Sequence, residues 1–415
     1  MKQSGADGLL QNAAALIASG LASAVIGLLF WGVATHLTTE KTIGRMSAEI
    51  AAVVLLAQLS QLSFGVVFER FLPVAGEQTK SFVKRAYSLC IPMSLVLGIV
   101  YVILGLGHRF LPQALAWRGL FVAGVALWTV FVLQDSALTG LRATRWIPIE
   151  NTVFSLLKLA LLPLLVLASA SEGIAVSWFL PVLFLIVVVN RYLFRIQMPR
   201  HELTSATTEQ LPTVRELFLL TGAQYASQLI NVISVSVVTL VVIDRLGAVA
   251  SAHYYIPAQI AGGASLVISS IASSFIVEAS SAPERTRHFA RVALWSGVAL
   301  LGPAVLLGVV LAPEILGVFG PNYADGGTAL LRMLILTVPA AAVASFYSAF
   351  AWLDKHVWWF AVRQIISAIV FFTLLFALIG HLGINAIGVS LLIESGIQAI
   401  FFLPILIRRY REAVL

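Results

Sequence analysis

MKQSGADGLLQNAAALIASGLASAVIGLLF, residues 1–30, passes from a short polar segment into an apolar stretch of more than 20 residues. An α-helix rises about 1.5 Å per residue, so roughly 20 apolar residues cross the ~30 Å hydrocarbon core of a bilayer. A signal-peptide core is shorter, roughly 7–15 residues. The stretch therefore reads as a retained first transmembrane helix.

The same pattern recurs along all 415 residues. Expected spans are 9–34, 48–68, 86–107, 119–140, 147–169 and 173–189, then 217–243, 251–277, 292–312, 328–352, 357–380 and 384–407. Composition agrees: 60% of the residues are hydrophobic and 11% charged, whereas a soluble domain carries about 25% charged residues. The expected class is an all-α integral membrane protein of about twelve transmembrane helices in two six-helix lobes. The net charge of +7 falls between the apolar runs, which points to anionic headgroups and topology rather than nucleic acid. Cys90 stands alone, so neither an internal disulfide nor a cysteine metal site is expected.

Lysine and arginine set the orientation, because cytoplasmic loops carry the excess. With the N-terminus in the cytoplasm, 18 of the 26 basic residues fall on the cytoplasmic side and five on the outer side. The other three, Lys158, Arg332 and Arg363, lie inside spans. An even number of crossings follows, with both termini cytoplasmic. The longest polar segment, about 190–216, separates six spans from six. Residues 36–50 after the first span and 245–259 after the seventh share a helix–turn–helix layout. The expected domains are a lobe at 1–195, a cytoplasmic linker at 196–216 and a lobe at 217–415. Duplicated halves with a site between them are common in secondary transporters.

A membrane glycosyltransferase or polysaccharide polymerase needs acid, base or metal-binding groups on sizeable outer loops. The outer segments here hold only about 4 to 16 residues, and the chain has five Asp and no Asp-x-Asp. A transporter is favoured over an enzyme.

Ionisable groups inside a membrane are costly and need a reason. Arg332 and Arg363 lie near span ends, where long side chains can snorkel to the interface. Lys158 and Glu394 sit near the middle of their spans. Asp135 and Glu150 flank a tight turn around Thr144, which puts them at similar depth. Asn151, Ser155 and Lys158, spaced i, i+4, i+7, share one helix face. Two readings stand for that stripe: a Lys158 salt bridge that fixes a helix pair, or a cation that meets a phosphate of the cargo. The seventh span carries Thr221, Gln224, Gln228, Asn231 and Ser234 on one face, and the first carries Asn12, Ser19 and Ser23. Such rows either join helices by hydrogen bonds or line a hydrated cavity. Glu394, with Asp135 and Glu150, is a candidate for proton or sodium coupling, and no other cofactor is expected. Tyr254-Tyr255 and Trp358-Trp359 read as interfacial aromatic anchors.

IGRMSAEIAAVVLLAQLSQLSFGVVFERFLP (43–73) resembles the early signature of polysaccharide-biosynthesis and O-antigen flippases, with Arg70 and Pro73 as its Arg-x-x-Pro. LAPEILGVFGPNYADGGTALLRMLILTVP (311–339) and INAIGVSLLIESGIQAIFFLPILIRR (384–409) resemble later segments of that family. The superfamily is that of multidrug/oligosaccharidyl-lipid/polysaccharide exporters. The resemblance implies two lobes, alternating access and an undecaprenyl-pyrophosphate-linked oligosaccharide as cargo at a bacterial inner membrane. It also implies membrane lipids, a polysaccharide polymerase and a chain-length regulator as partners. In that reading Lys158 and Arg363 meet phosphates, and Arg70 lies near the cytoplasmic entrance. Asn151 joins Lys158, while Gln224, Gln228 and Asn231 meet sugar hydroxyls. The alternatives are a cation-coupled multidrug or metabolite antiporter of the same superfamily, and a membrane-embedded polymerase or glycosyltransferase.

Overall fold

The computed structural model describes residues 22–169, 172–204, 214–281, 286–353 and 357–414. All regular structure among them is helical. Eleven helical stretches are long and apolar enough to cross a membrane, and a shorter apolar helix, α1 (Ala22–Leu37), adds a twelfth. The remainder of the expected first span, with Asn12 and Ser19, lies outside the described residues.

Two compact units are present. One is Leu37–Ser251; the other joins Met1–His36 to Ala252–Leu415. The sequence division at 196–216 concerns duplication rather than these units, and we keep it as a proposal. Within that expected linker, the described parts are helical.

In the first unit the elements are α2 (Glu40–Ser60), α3 (Phe64–Phe71), α4 (Thr79–Ile103), α5 (Leu115–Gly140), α6 (Trp146–Ala168), α7 (Gly173–Tyr192), α8 (Met198–Thr204) and α9 (Val214–Leu246). Thr39 caps α2, its hydroxyl accepting from the Thr42 N–H at 3.3 Å, which satisfies one of the free donors at a helix start. α5 lies at the centre, packed against α2, α3, α4 and α7. At one end of this unit Phe68, Leu72, Phe82, Leu133 and Leu138 form a buried cluster. Outward faces stay apolar: Leu167 is 80% exposed and Ile103 76%. Such faces require lipid, because water would make their exposure costly.

The expected second span, 48–68, is not one helix. It starts at Glu40 and breaks at Leu62 and Ser63, whose φ values are 48° and 68°. Residues with side chains seldom adopt that left-handed region. The break leaves carbonyls of α2 without helical partners. Tyr225 on α9 answers them, its hydroxyl 3.1 Å from the Gln58 carbonyl and 3.2 Å from that of Leu59. Periodicity does not reveal this break, since no Pro or Gly occupies it. Tyr225→Phe removes the clasp and keeps the ring. Backbone amide exchange near the break should accelerate by roughly two- to tenfold, the equivalent of one net hydrogen bond.

The second unit holds α1 with α10 (Ala248–Ser281), α11 (Thr286–Val310), α12 (Ala312–Gly317), α13 (Pro321–Leu336), α14 (Val338–Leu353), α15 (Val357–Leu382) and α16 (Asn385–Val414). α10 belongs to this unit from Ala252 onward. The expected tenth span is two helices, α13 and α14, joined at Thr337. α16 packs on α13, α14 and α15. Tyr254 is only 6% exposed, and the Tyr255 ring meets Trp31 edge-on at 4.9 Å. These tyrosines are internal packing residues, a correction to the anchor reading. The side chains of Trp358 and Trp359 lie outside the described residues.

Candidate functional site

The first unit gathers polar side chains from four helices. The Tyr87 hydroxyl on α4 donates to the Asn190 Oδ1 on α7 at 3.0 Å. The Asn190 amide donates to the Gln134 Oε1 on α5 at 3.1 Å. The Gln134 amide in turn donates to the Glu150 Oε1 on α6. Every donor in this relay points toward Glu150. Asp135 is within hydrogen-bonding reach of Glu150 and Asn151.

Two oxygens remain. Asp135 Oδ1 and Glu150 Oε2 are buried and accept no hydrogen bond. Glu150 is 2% exposed. A buried acceptor without a donor costs about 1–3 kcal/mol, and more if it is charged. Two such acceptors on neighbouring carboxylates could hold a cation.

The sequence located this pair by depth, and the structure brings it together. Gln134, Asn190 and Tyr87 were missed. Gln134 borders Asp135 in the chain, but nothing in its spacing tells that its amide faces Glu150. Asn190 belongs to another helix, so only tertiary packing reveals it. Glu49 was also missed. It is 5% exposed on α2 and lies within a membrane-length helix.

Lys158 is 8% exposed, as expected for a residue facing protein. Its ammonium lies 4.8 Å from the Phe154 ring centre and 5.6 Å from that of Trp178. Trp128 stacks on Trp178 at 4.5 Å. Two aromatic rings thus face the cation, and cation–π attraction is strongest where water is excluded. The i+4 row Glu150, Phe154, Lys158, Leu162 and Val166 is the buried face of α6, which packs chiefly on α7.

The second unit holds a separate polar cluster between α15 and α16. Arg363 donates to Gln398, and both Ser367 and Gln398 donate to the Glu394 Oε1. Gln398 also lies 3.2 Å from the Ser367 hydroxyl. Two i, i+4 pairs, 363/367 and 394/398, face each other across the helix pair. Arg363 and Glu394 are therefore members of one network, although the sequence reading gave them different tasks.

The remaining candidates are dispersed. Arg70 is exposed at the end of α3, with its guanidinium 5.6 Å from the Phe71 ring centre. On α9, Gln224 and Asn231 are exposed and Gln228 is half-buried. The side chain that ties α9 to the broken second span is Tyr225, their neighbour, rather than this amide row.

The fold is that of known transporters. An inward-facing multidrug resistance MATE family transporter of the MOP superfamily superposes with a TM-score of 0.67 at 14% identity, over 96% of this chain and 98% of that one. A point mutant of the Vibrio cholerae MATE transporter VcmN gives 0.62 at 14% identity, over 99% and 97%. A MOP superfamily transporter from Pyrococcus furiosus Vc1, whose reversed pocket polarity suggests a different function, gives 0.59 at 15%, over 97% and 96%. At such identities the likeness establishes a shared fold. No protein-family model matches the chain, and no curated protein matches it.

Proposed function

We propose that this chain is a cation-coupled transporter, a multidrug or metabolite antiporter with Asp135 and Glu150 as its coupling pair. The observation that carries this reading is the two orphaned carboxylate oxygens buried in a membrane-spanning bundle, within a fold shared with MATE transporters. A carboxylate pair that binds one cation gives an antiporter what it needs: an occupant whose affinity differs between two conformations. Glu394, held by Ser367 and Gln398, already has hydrogen-bond donors and ranks behind this pair as a coupling group. The site lies in a multi-pass membrane protein, for which we propose an inner-membrane location and cytoplasmic termini. The test is accumulation of a panel of amphiphilic dyes and metabolites in cells expressing the chain. Accumulation should fall with the wild-type chain and recover with Asp135→Asn or Glu150→Gln. Equal accumulation with and without the wild-type chain would reject the reading.

A second reading is carried by the stretch 43–73, with its Arg70 and Pro73: a flippase for lipid-linked oligosaccharide. There Lys158, with Asn151 beside it, and Arg363 serve the phosphates, Arg70 lies near the cytoplasmic entrance, and Gln224, Gln228 and Asn231 serve the sugar. A polysaccharide polymerase and a chain-length regulator are its proposed partners. On that reading a deletion strain accumulates lipid-linked oligosaccharide on the cytoplasmic face, and Lys158→Ala fails to clear it. Clearance by Lys158→Ala at the wild-type rate would remove Lys158 from the phosphate site.

A further inference from the structure

The second unit contains a cavity of about 330 Å³ between α10 and α11. Val267, Ser270, Ser274 and Glu278 line it from α10, and Val292 and Leu300 from α11. Phe275, Ala293 and Phe346 belong to the buried cluster behind it. Both helices are of membrane-crossing length and composition. From Val267 to Glu278 the helix rises about 16 Å, roughly half of the ~30 Å hydrocarbon core. The groove thus runs from one membrane interface to near the bilayer middle, the depth of one acyl chain in one leaflet.

Charge is confined to the interfacial end. Glu278 is half-buried there and has no hydrogen-bond or ion-pair partner among the described residues. On the facing turns of α11, Phe289 and Val292 line the groove. Glu278 is the one charged residue among those lining the groove, and its carboxylate matches the ammonium of a lipid headgroup. A primary ammonium donates hydrogen bonds to a carboxylate, whereas a trimethylammonium has none to donate.

We propose that this groove binds a single phospholipid with a primary-amine headgroup, phosphatidylethanolamine in chemistry. One acyl chain lies along α10 and α11, and the ammonium meets Glu278. This assignment is independent of the cargo and of the coupling pair.

The test uses the full chain in nanodiscs of equal phosphatidylethanolamine, phosphatidylcholine and phosphatidylglycerol, with retained lipid counted by native mass spectrometry. Phosphatidylethanolamine should be retained over phosphatidylcholine by roughly tenfold, the fold-change of one charge-assisted hydrogen bond. Glu278→Gln should bring that ratio near one, and Glu278→Asp should keep most of it. Ser274→Phe, which fills the groove, should abolish the retained lipid in a chain that still melts cooperatively. Equal retention of the three lipids by wild type, or an unchanged preference in Glu278→Gln, would overturn the proposal. So would Glu278-dependent binding of tetraphenylphosphonium without an amine-lipid preference, which would make the groove a small-cation site.

Discussion

Asp135→Asn combined with Glu150→Gln should yield a protein that is more stable and no longer coupled. The wild-type fold buries Asp135 Oδ1 and Glu150 Oε2 without donors. Amides at these positions can supply donors to each other, and they carry no charge to desolvate. Each relieved acceptor contributes about 1–3 kcal/mol, so the thermal midpoint in detergent should rise by several degrees. The same change deletes the cation's ligands. Gradient-driven transport should drop by roughly one to two orders of magnitude, the span of typical coupling energies. A site kept for stability would show the opposite trend, with a lower midpoint and transport scaling with folded protein. Gln134→Leu separates the parts of the network. It removes the donor to Glu150 Oε1 and leaves both carboxylates, so it should weaken cation affinity by less than the double variant does.

Gly140→Val should strongly destabilise the first unit. Gly140 ends α5, where a Cβ would collide with the Phe68 carbonyl oxygen and meet the Leu72 Cβ at 3.0 Å. The obstacle is backbone, which cannot move aside as a flexible side chain can. Phe68 and Leu72 are fully buried in the cluster that packs α3 on α5. Overpacking typically costs about 1–3 kcal/mol, and a backbone clash belongs at the upper end or beyond. Folded yield and thermal midpoint should both fall, with Gly140→Ala intermediate. Gly119→Ala on the same helix is the control, because nothing lies within 4 Å of its Cβ. That change should leave the midpoint within a degree or two, since surface substitutions in helices stay near 0.5 kcal/mol.

The class of fold was legible from apolar run length alone, because the bilayer imposes one element and one length on every crossing. Breaks within spans were not. Leu62 and Ser63 carry no signal of the left-handed backbone they adopt, and Tyr225, which supports it, lies in another span. Depth counting was enough to pair Asp135 with Glu150 across one tight turn. It could not reach Gln134's orientation, Asn190 or Tyr87, which depend on how α4 and α7 rotate against α5. The sequence put Lys158 on a face with Asn151 and Ser155, whereas the buried face of α6 runs Glu150, Phe154, Lys158, Leu162 and Val166, and the rings of Phe154 and Trp178 that receive the ammonium follow from packing. Arg363 illustrates a further limit. Its position near a span end suggested snorkelling, whereas its guanidinium turns to Gln398 and joins the Glu394 network.

The claim that the carboxylate pair couples an ion to transport is tested most directly in proteoliposomes. The purified chain, loaded with an amphiphilic dye that it clears from cells, is given an imposed proton gradient or sodium gradient in turn. Dye movement should be driven by one of these gradients and should fall by roughly one to two orders of magnitude in Asp135→Asn with Glu150→Gln, while the variant remains folded. Dye movement at equal rates with no gradient, or gradient-driven movement at the wild-type rate in the double variant, would contradict the coupling role of the pair.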